Sequence, residues 1–325
     1  MFFNSLLMST MISISSNSWF GMWLGLEINL LSIIPLMNNI KNSYSSESSI
    51  KYFMVQVISS SFILLTMIFI MKFNYNNSIN LIMNSSFLMK MGAAPFHFWF
   101  PEIMEGLNWM NCLIMLTWQK ITPMIILNYI LINLNFIMII IMISIMIGSI
   151  MGINQNNLRK ILTYSSINHI GWMISSIMFL EMLWIYYFLI YSIIIINIIL
   201  ILSKYFIFHL KQMFMFFNKN FKLNFIFIMN FFSLGGIPPF VGFFPKWLTI
   251  QMLILNNHSL LSYFMITFTL ITLFYYMRLM FSTLNLNQNQ IFFNKVKMTS
   301  MLLFSLINFF NLSSFLFCTI LFNFI

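Results

Sequence analysis

Residues 92–101 read G-A-A-P-F-H-F-W-F-P, and residues 236–245 read G-I-P-P-F-V-G-F-F-P. Both fit G-x-x-P-F-x-x-x-F-P in one register, 144 positions apart (236 minus 92). Each copy has a lysine beside it: Lys90 stands just before the first and Lys246 just after the second. Each also lies inside a long apolar segment. Proline removes a backbone donor and glycine weakens a helix interior. The two copies therefore predict two interrupted helices, broken at Gly92, Pro95 and Pro101 and at Gly236, Pro239 and Pro245.

The surroundings of the motif fix the class. The chain is 61% hydrophobic and only 6% charged, where soluble domains carry about 25% charged residues. Apolar runs of roughly twenty residues recur from end to end, the length that spans a bilayer as a helix. No polar stretch is long enough for an aqueous domain, and the runs lack the alternation of a membrane β-barrel. The reading is an all-α polytopic membrane protein with about 11 transmembrane helices, at about 2–18, 19–38, 50–71, 79–101, 109–131, 135–153, 158–180, 183–208, 224–255, 259–281 and 299–323. The ninth segment is too long for one plain span and holds the second motif. Cys112 and Cys318 lie in apolar segments with no metal or redox spacing. The sequence has no G-x-G-x-x-G, P-loop, H-E-x-x-H or C-x-x-C, so it offers no motif for a nucleotide, metal or redox cofactor.

Net charge is +10, from fifteen Lys and Arg against five acidic residues, all Glu. On an aqueous protein that balance would suggest nucleic acid. Here it reads as the positive-inside bias, with no nucleic-acid partner. Loops after even-numbered segments hold Lys41, Lys51, Arg159, Lys160, Lys211, Lys219, Lys222, Lys295 and Lys297, whereas loops after odd-numbered ones offer Lys72 and little else. The even loops and the N-terminus thus fall on the positive side. Eleven spans put the C-terminus on the other. Lys204 and Arg278, near positive-side helix ends, read as side chains reaching the interface.

Four charges fall near the centres of their segments: Glu27, Lys90, Lys120 and Lys246. Each costs roughly 2.5–3.5 kcal/mol at mid-membrane, so such residues face a bundle interior or a hydrated cavity. One reading is a fixed Glu27–Lys90 pair that locks helices together. The other is proton carriage. Lysine alternates between a cation and a neutral amine, whereas arginine stays charged. A changing carboxylate–lysine distance would then load and unload a proton. Broken helices at corresponding places in two halves point to a transport site, although prolines also simply kink membrane helices. His169, mid-segment, and His97, inside the first motif, are relay candidates or packing residues. Thr163, Ser165, Ser166 and Asn168 offer a water path or interhelical hydrogen bonds. A standalone monovalent cation/proton antiporter is disfavoured by the lack of Asp and by a single central carboxylate, a poor oxygen site for sodium. A structural spacer would carry four costly charges to no purpose.

W-L-G-L-E-I-N (23–29), K-M-G-A-A-P-F-H-F-W-F-P-E (90–102), L-T-W-Q-K-I-T-P (116–123), N-L-R-K-I-L-T-Y-S-S-I-N-H-I-G-W (157–172) and S-L-G-G-I-P-P-F-V-G-F-F-P-K-W (233–247) resemble the chain 2 family of NADH–ubiquinone oxidoreductase. Its members are mitochondrially encoded, antiporter-like subunits of respiratory complex I. The resemblance implies an antiporter-like fold of two inverted five-helix repeats, about 1–131 and 135–281, each with a broken helix, followed by a C-terminal helix at about 299–323. It matches Glu27 and Lys90 to the family's Glu–Lys pair, Lys120 to its central relay lysine, His169 to its H-x-G-W histidine and Lys246 to the lysine of its second broken helix. It implies proton translocation driven by redox chemistry elsewhere in the complex. The partners would be other complex I membrane subunits and the lipid bilayer. NADH, FMN, Fe-S clusters and ubiquinone would belong to other subunits, with no cofactor or metal bound by this chain. The location would be the mitochondrial inner membrane, N-terminus on the matrix side and C-terminus on the intermembrane-space side. The resemblance implies that, relative to bacterial relatives of about fourteen helices, the chain would lack the first three, as animal mitochondrial members do. Adding 144 to Glu27 reaches Gly171 and adding 144 to Lys120 reaches Phe264, so the halves do not duplicate these charges.

Overall fold

A chain this apolar has one economical way to satisfy its backbone, which is to bond each N–H within its own helix. The computed structural model, which describes residues 1–38, 42–73, 77–130, 133–217 and 221–284, is built of fourteen helices. In order these are α1 (Phe2–Ser15), α2 (Trp19–Met37), α3 (Ser43–Phe73), α4 (Asn77–Met91), α5 (Trp99–Gly106), α6 (Trp109–Leu116) and α7 (Trp118–Asn128). There follow α8 (Leu134–Ile153), α9 (Leu158–Ile177), α10 (Glu181–Lys204), α11 (Leu210–Phe217), α12 (Phe221–Gly235), α13 (Phe243–Leu255) and α14 (Ser259–Leu284). Six stretches among them are long and apolar enough to cross a membrane: α2, α3, α6 with α7, α8, α10 and α14. The expected helix at 299–323, together with Cys318, Lys41, Lys219, Lys295 and Lys297, lies outside the described residues.

Both copies of the motif interrupt a helix at corresponding positions. α4 stops at Met91 and α5 restarts at Trp99; α12 stops at Gly235 and α13 restarts at Phe243. Gly92 has φ +73° and Gly236 φ +76°. Behind each glycine the chain closes a Schellman cap: Ala93 N–H donates to the Leu88 carbonyl at 3.0 Å, and Ile237 N–H to the Phe232 carbonyl at 3.4 Å. These are the same positions, 144 residues apart. The left-handed conformation needs glycine because a Cβ would strike the following carbonyl.

The segment expected at 109–131 is two helices rather than one, meeting at Thr117, whose φ and ψ are −116° and −73°. Pro123 has no N–H to offer the Gln119 carbonyl and its ring crowds it. The Thr117 hydroxyl donates to the Leu113 carbonyl at 2.7 Å, competing with the helical ladder. The span expected at 50–71 begins earlier, at Ser43, and the one at 183–208 ends at Lys204, with α11 separate.

α9 is the hub. Eighteen of its 20 residues are buried, Thr163, Ser165, Ser166, Asn168 and His169 among them. It packs against α8, α5 and α10. Gly148 on α8 lies over α9, where a Cβ would come within 2.7 Å of the Asn168 backbone nitrogen, so only a small residue allows that approach. One end of the bundle is tied by surface polar contacts. Lys51 bridges Glu47 at 3.1 Å and Glu102 at 2.9 Å, Lys160 meets Glu105 at 2.6 Å, and Arg278 donates to the Ile153 carbonyl at 2.6 Å.

Two outcomes follow from this architecture. Gly236→Ala should destabilise the chain by about 1–2 kcal/mol through its positive φ. Gly235→Ala, one residue earlier, meets nothing closer than Tyr276 at 3.6 Å and should be tolerated. Thermal unfolding of the purified chain or its complex separates the two, and equal effects would contradict the capping role. At the surface end of α5, partial burial pulls the Glu105 carboxyl upward. Hydrogen bonds from Lys160 and Asn157 more than offset it, leaving the group below its ordinary value of 4.5. A carboxyl depressed on folding stabilises fully above its unfolded value, and that stability is lost as pH falls through the folded one. Glu105→Gln should therefore cost up to about 1 kcal/mol at pH 7, for a half-exposed pair. The cost should begin to fade as pH falls below the ordinary value of 4.5 and vanish once pH has fallen through the lower folded value, where the wild-type carboxyl also gains a proton.

Candidate functional site

Three lysines are carried into the interior by the breaks and the kink. Lys90 stands in the last turn of α4, Lys120 in the first turn of α7, and Lys246 in the first turn of α13. Their exposures are 7%, 1% and 5%. None forms an ion pair with a carboxylate among the described residues; those pairs involve Lys51 and Lys160.

Each lysine meets a different neutral environment. Lys246 Nζ donates to the Gly235 carbonyl at 2.8 Å and the Leu234 carbonyl at 3.2 Å. Those carbonyls end α12, where no further helical N–H reaches them and the helix dipole is negative. The side chain folds back over the break, so that a Cβ at Gly236 would lie 2.9 Å from Nζ. Trp172 of α9 lies beneath, its ring 5.8 Å from Nζ. Lys120 Nζ donates to the Tyr191 hydroxyl at 3.3 Å and lies over the rings of Tyr191 at 5.0 Å and Phe100 at 5.8 Å. Phe100 belongs to the first break motif. Lys90 borders a cavity of ≈ 20 Å³ lined also by Asn29, Tyr52, Gln56, Gln119 and Thr122. That space admits about one water with several polar partners. Gln119 Nε2 donates to Asn29 Oδ1 at 2.9 Å, and Tyr52 to Gln119 Oε1 at 3.4 Å. The chamber thus runs from Lys90 to the residue preceding Lys120.

His169 lies close to Lys120 across Tyr191, whose ring is 5.0 Å from Lys120 Nζ, and it lines a small cavity with Pro245, the residue before Lys246. Its Nδ1 is 2.9 Å from the Tyr187 hydroxyl, and its ring is 5.0 Å from that of Tyr191. Its buried Nε2 has no hydrogen-bond partner. His97 is buried within the first break, its ring 4.4 Å from that of Phe98, and among the described residues no hydrogen bond joins it to a lysine.

Glu27 departs from the expectation of an inward charge. It is half-buried and lines a groove of ≈ 680 Å³ with Trp23, Ser60, Ser61, Leu64 and other residues of α3. Helical geometry explains this: Gly25, Leu26, Asn29, Leu30 and Ile33 form the buried stripe, and position 27 borders the outward stripe of Phe20, Leu24, Ile28 and Leu31. Glu27 and Lys90 form no ion pair within 4 Å.

Sequence reasoning missed Tyr187 and Tyr191. Nothing sets them apart in E-M-L-W-I-Y-Y-F-L-I-Y, a run rich in aromatics. Their spacing of four residues was the available signal, since it puts both on one helical face. It also missed Gln119 and the kink at Thr117, although Pro123 marked the latter.

The family model described as NADH:quinone oxidoreductase/Mrp antiporter, TM, matches residues 16–272. NADH-ubiquinone oxidoreductase chain 2 of Anopheles gambiae is 49% identical over 290 residues, covering 87% of this chain and 84% of its own length. The protein of that name from Lumbricus terrestris is 34% identical over 288 residues, 87% of this chain and 86% of its own. Among solved structures, a chain of respiratory complex I from Thermus thermophilus superposes with a TM-score of 0.81 at 19% identity, over 97% of this chain and 75% of that one. A chain of the Mrp complex from Dietzia sp. gives 0.76 at 14% identity, over 87% and 60%. At those identities the structures establish a shared antiporter-like fold. With most of its length matched by the family model and close to half its residues shared with the mosquito protein, the chain belongs to the NADH:quinone oxidoreductase/Mrp antiporter transmembrane family, among its NADH-ubiquinone oxidoreductase chain 2 members.

Proposed function

We propose that the chain is a core membrane subunit of proton-pumping NADH:ubiquinone oxidoreductase. It carries protons across the mitochondrial inner membrane while redox chemistry proceeds in other subunits, which hold the NADH, FMN, iron–sulfur and ubiquinone sites. The relay is Glu27, Lys90, Lys120, His169 and Lys246. The observation that carries this reading is that three buried lysines contact neutral groups: backbone carbonyls, a phenol and an amide-lined chamber. Among the described residues no carboxylate lies within ion-pair distance to lock their protonation, so each can be loaded and unloaded. The breaks supply the polar lining, because unpaired backbone in a membrane interior is tolerated only against protein or water.

The eleven-span topology belongs to this proposal, with repeats at about 1–131 and 135–281, the N-terminus in the matrix and the C-terminus in the intermembrane space. The relay is asymmetric. Lys246 reaches back to the helix before its break, whereas Lys90 stands in the last turn of the helix before its own, so the two breaks serve as different stations on one route. Glu27, facing a lateral groove, is completed by a neighbouring membrane subunit.

Lys120→Met or Lys246→Met in the assembled complex should lower proton translocation coupled to NADH oxidation on the order of tenfold, since removing a positioned proton-transfer group costs that or more. Lys204→Met, at a helix end, should not. Reconstituted vesicles with a pH-sensitive dye report the rate. Full pumping by an assembled Lys120→Met complex would sink the role given to that lysine. Sodium-dependent proton flux by the isolated chain would favour the antiporter reading instead.

A further inference from the structure

α10 offers a group that joins two stations the relay leaves apart. Lys120 and His169 make no direct hydrogen bond. Tyr191 takes the Lys120 Nζ contact at 3.3 Å, and Tyr187 takes His169 Nδ1 at 2.9 Å. The two tyrosines are four residues apart on α10, hence on one face, one turn from each other. Both are buried, at 2% exposure each. Both line a cavity of ≈ 10 Å³ together with His169, Ser233 and Gly242, next to the second break. That volume is about the smallest that admits a water.

Resting on the proton-relay reading above, we propose that Tyr191 and Tyr187 form a hydroxyl bridge that passes protons between Lys120 and His169. A proton leaves Lys120 Nζ for the Tyr191 hydroxyl oxygen as that hydroxyl gives its own proton to a water in the shared cavity. The water hands one on to Tyr187, and Tyr187 gives its proton to His169 Nδ1. Lys120 ends as a neutral amine and His169 as an imidazolium, with both phenols and the water restored. A phenol suits the task because one oxygen both donates and accepts. The bridge also accounts for two buried hydroxyls in a helix whose other buried residues, Asn197 apart, are aliphatic or aromatic.

The test is a mutant cycle in the assembled complex, with proton translocation in reconstituted vesicles as the readout. Tyr191→Phe keeps the ring against His169 and beneath Lys120 and removes only the hydroxyl. It should lower translocation about tenfold or more, and adding Lys120→Met should cause no further loss, because both changes block one step. A merely structural tyrosine would instead give losses that multiply. Tyr187→Phe, at the other end of the bridge, should reproduce the result and carries the test if Tyr191→Phe does not assemble. If Lys120→Met stops translocation while the tyrosine variants pump at the wild-type rate, the bridge is overturned and the relay reading stands. If Lys120→Met itself pumps normally, that lysine's role fails first, and the bridge with it.

Discussion

A helix that stops inside a membrane bundle leaves carbonyl groups that water does not reach, and something must bond to them. Here the second break is closed partly by its own Schellman cap and partly by Lys246, whose ammonium takes the Leu234 and Gly235 carbonyls. The interruption and the buried charge therefore satisfy each other. The lysine supplies donors the backbone lacks, and the backbone supplies the negative end of a helix dipole to a cation that would otherwise stand alone. Much of the interior depends on that exchange. It places Lys246 against Trp172, and Trp172 lies one turn along α9 from His169.

The same device is used differently in the first half. The cap at Gly92 matches the cap at Gly236 residue for residue, but Lys90 belongs to the helix that ends there and looks into an amide-lined chamber. The motif's second aromatic, Phe100, roofs Lys120. One backbone motif thus positions a lysine at its end in one half and a lysine beyond its restart in the other. Between the halves runs α9, whose polar residues would be costly against lipid and are cheap here because protein surrounds them on every side.

The breaks were legible because glycine and proline act locally: a left-handed cap and a missing donor show in the residues themselves. The buried lysines were legible because a charge inside a long apolar run has few places to go. The kink before Lys120 was half-legible, since Pro123 marked it but the hydroxyl of Thr117 had to find the Leu113 carbonyl to complete it. The facing of Glu27 was not legible, because its distance along the segment says how deep it lies and not which way it points. That direction depends on which stripe of α2 packs inward.

Composition, charge and spacing by themselves determined a helical membrane chain, the positions of two helix interruptions and the identity of the costly charges. Each of these follows from the chemistry of one residue and its near neighbours in sequence. Only the tertiary structure decided the company those charges keep. Tyr191 is 71 positions from the lysine it meets, Trp172 is drawn to Lys246 across two helices, and Glu27 looks outward while Lys90 looks in. Such contacts depend on how helices rotate and cross, which depends on packing between residues far apart in the chain, and a one-dimensional pattern does not hold that information.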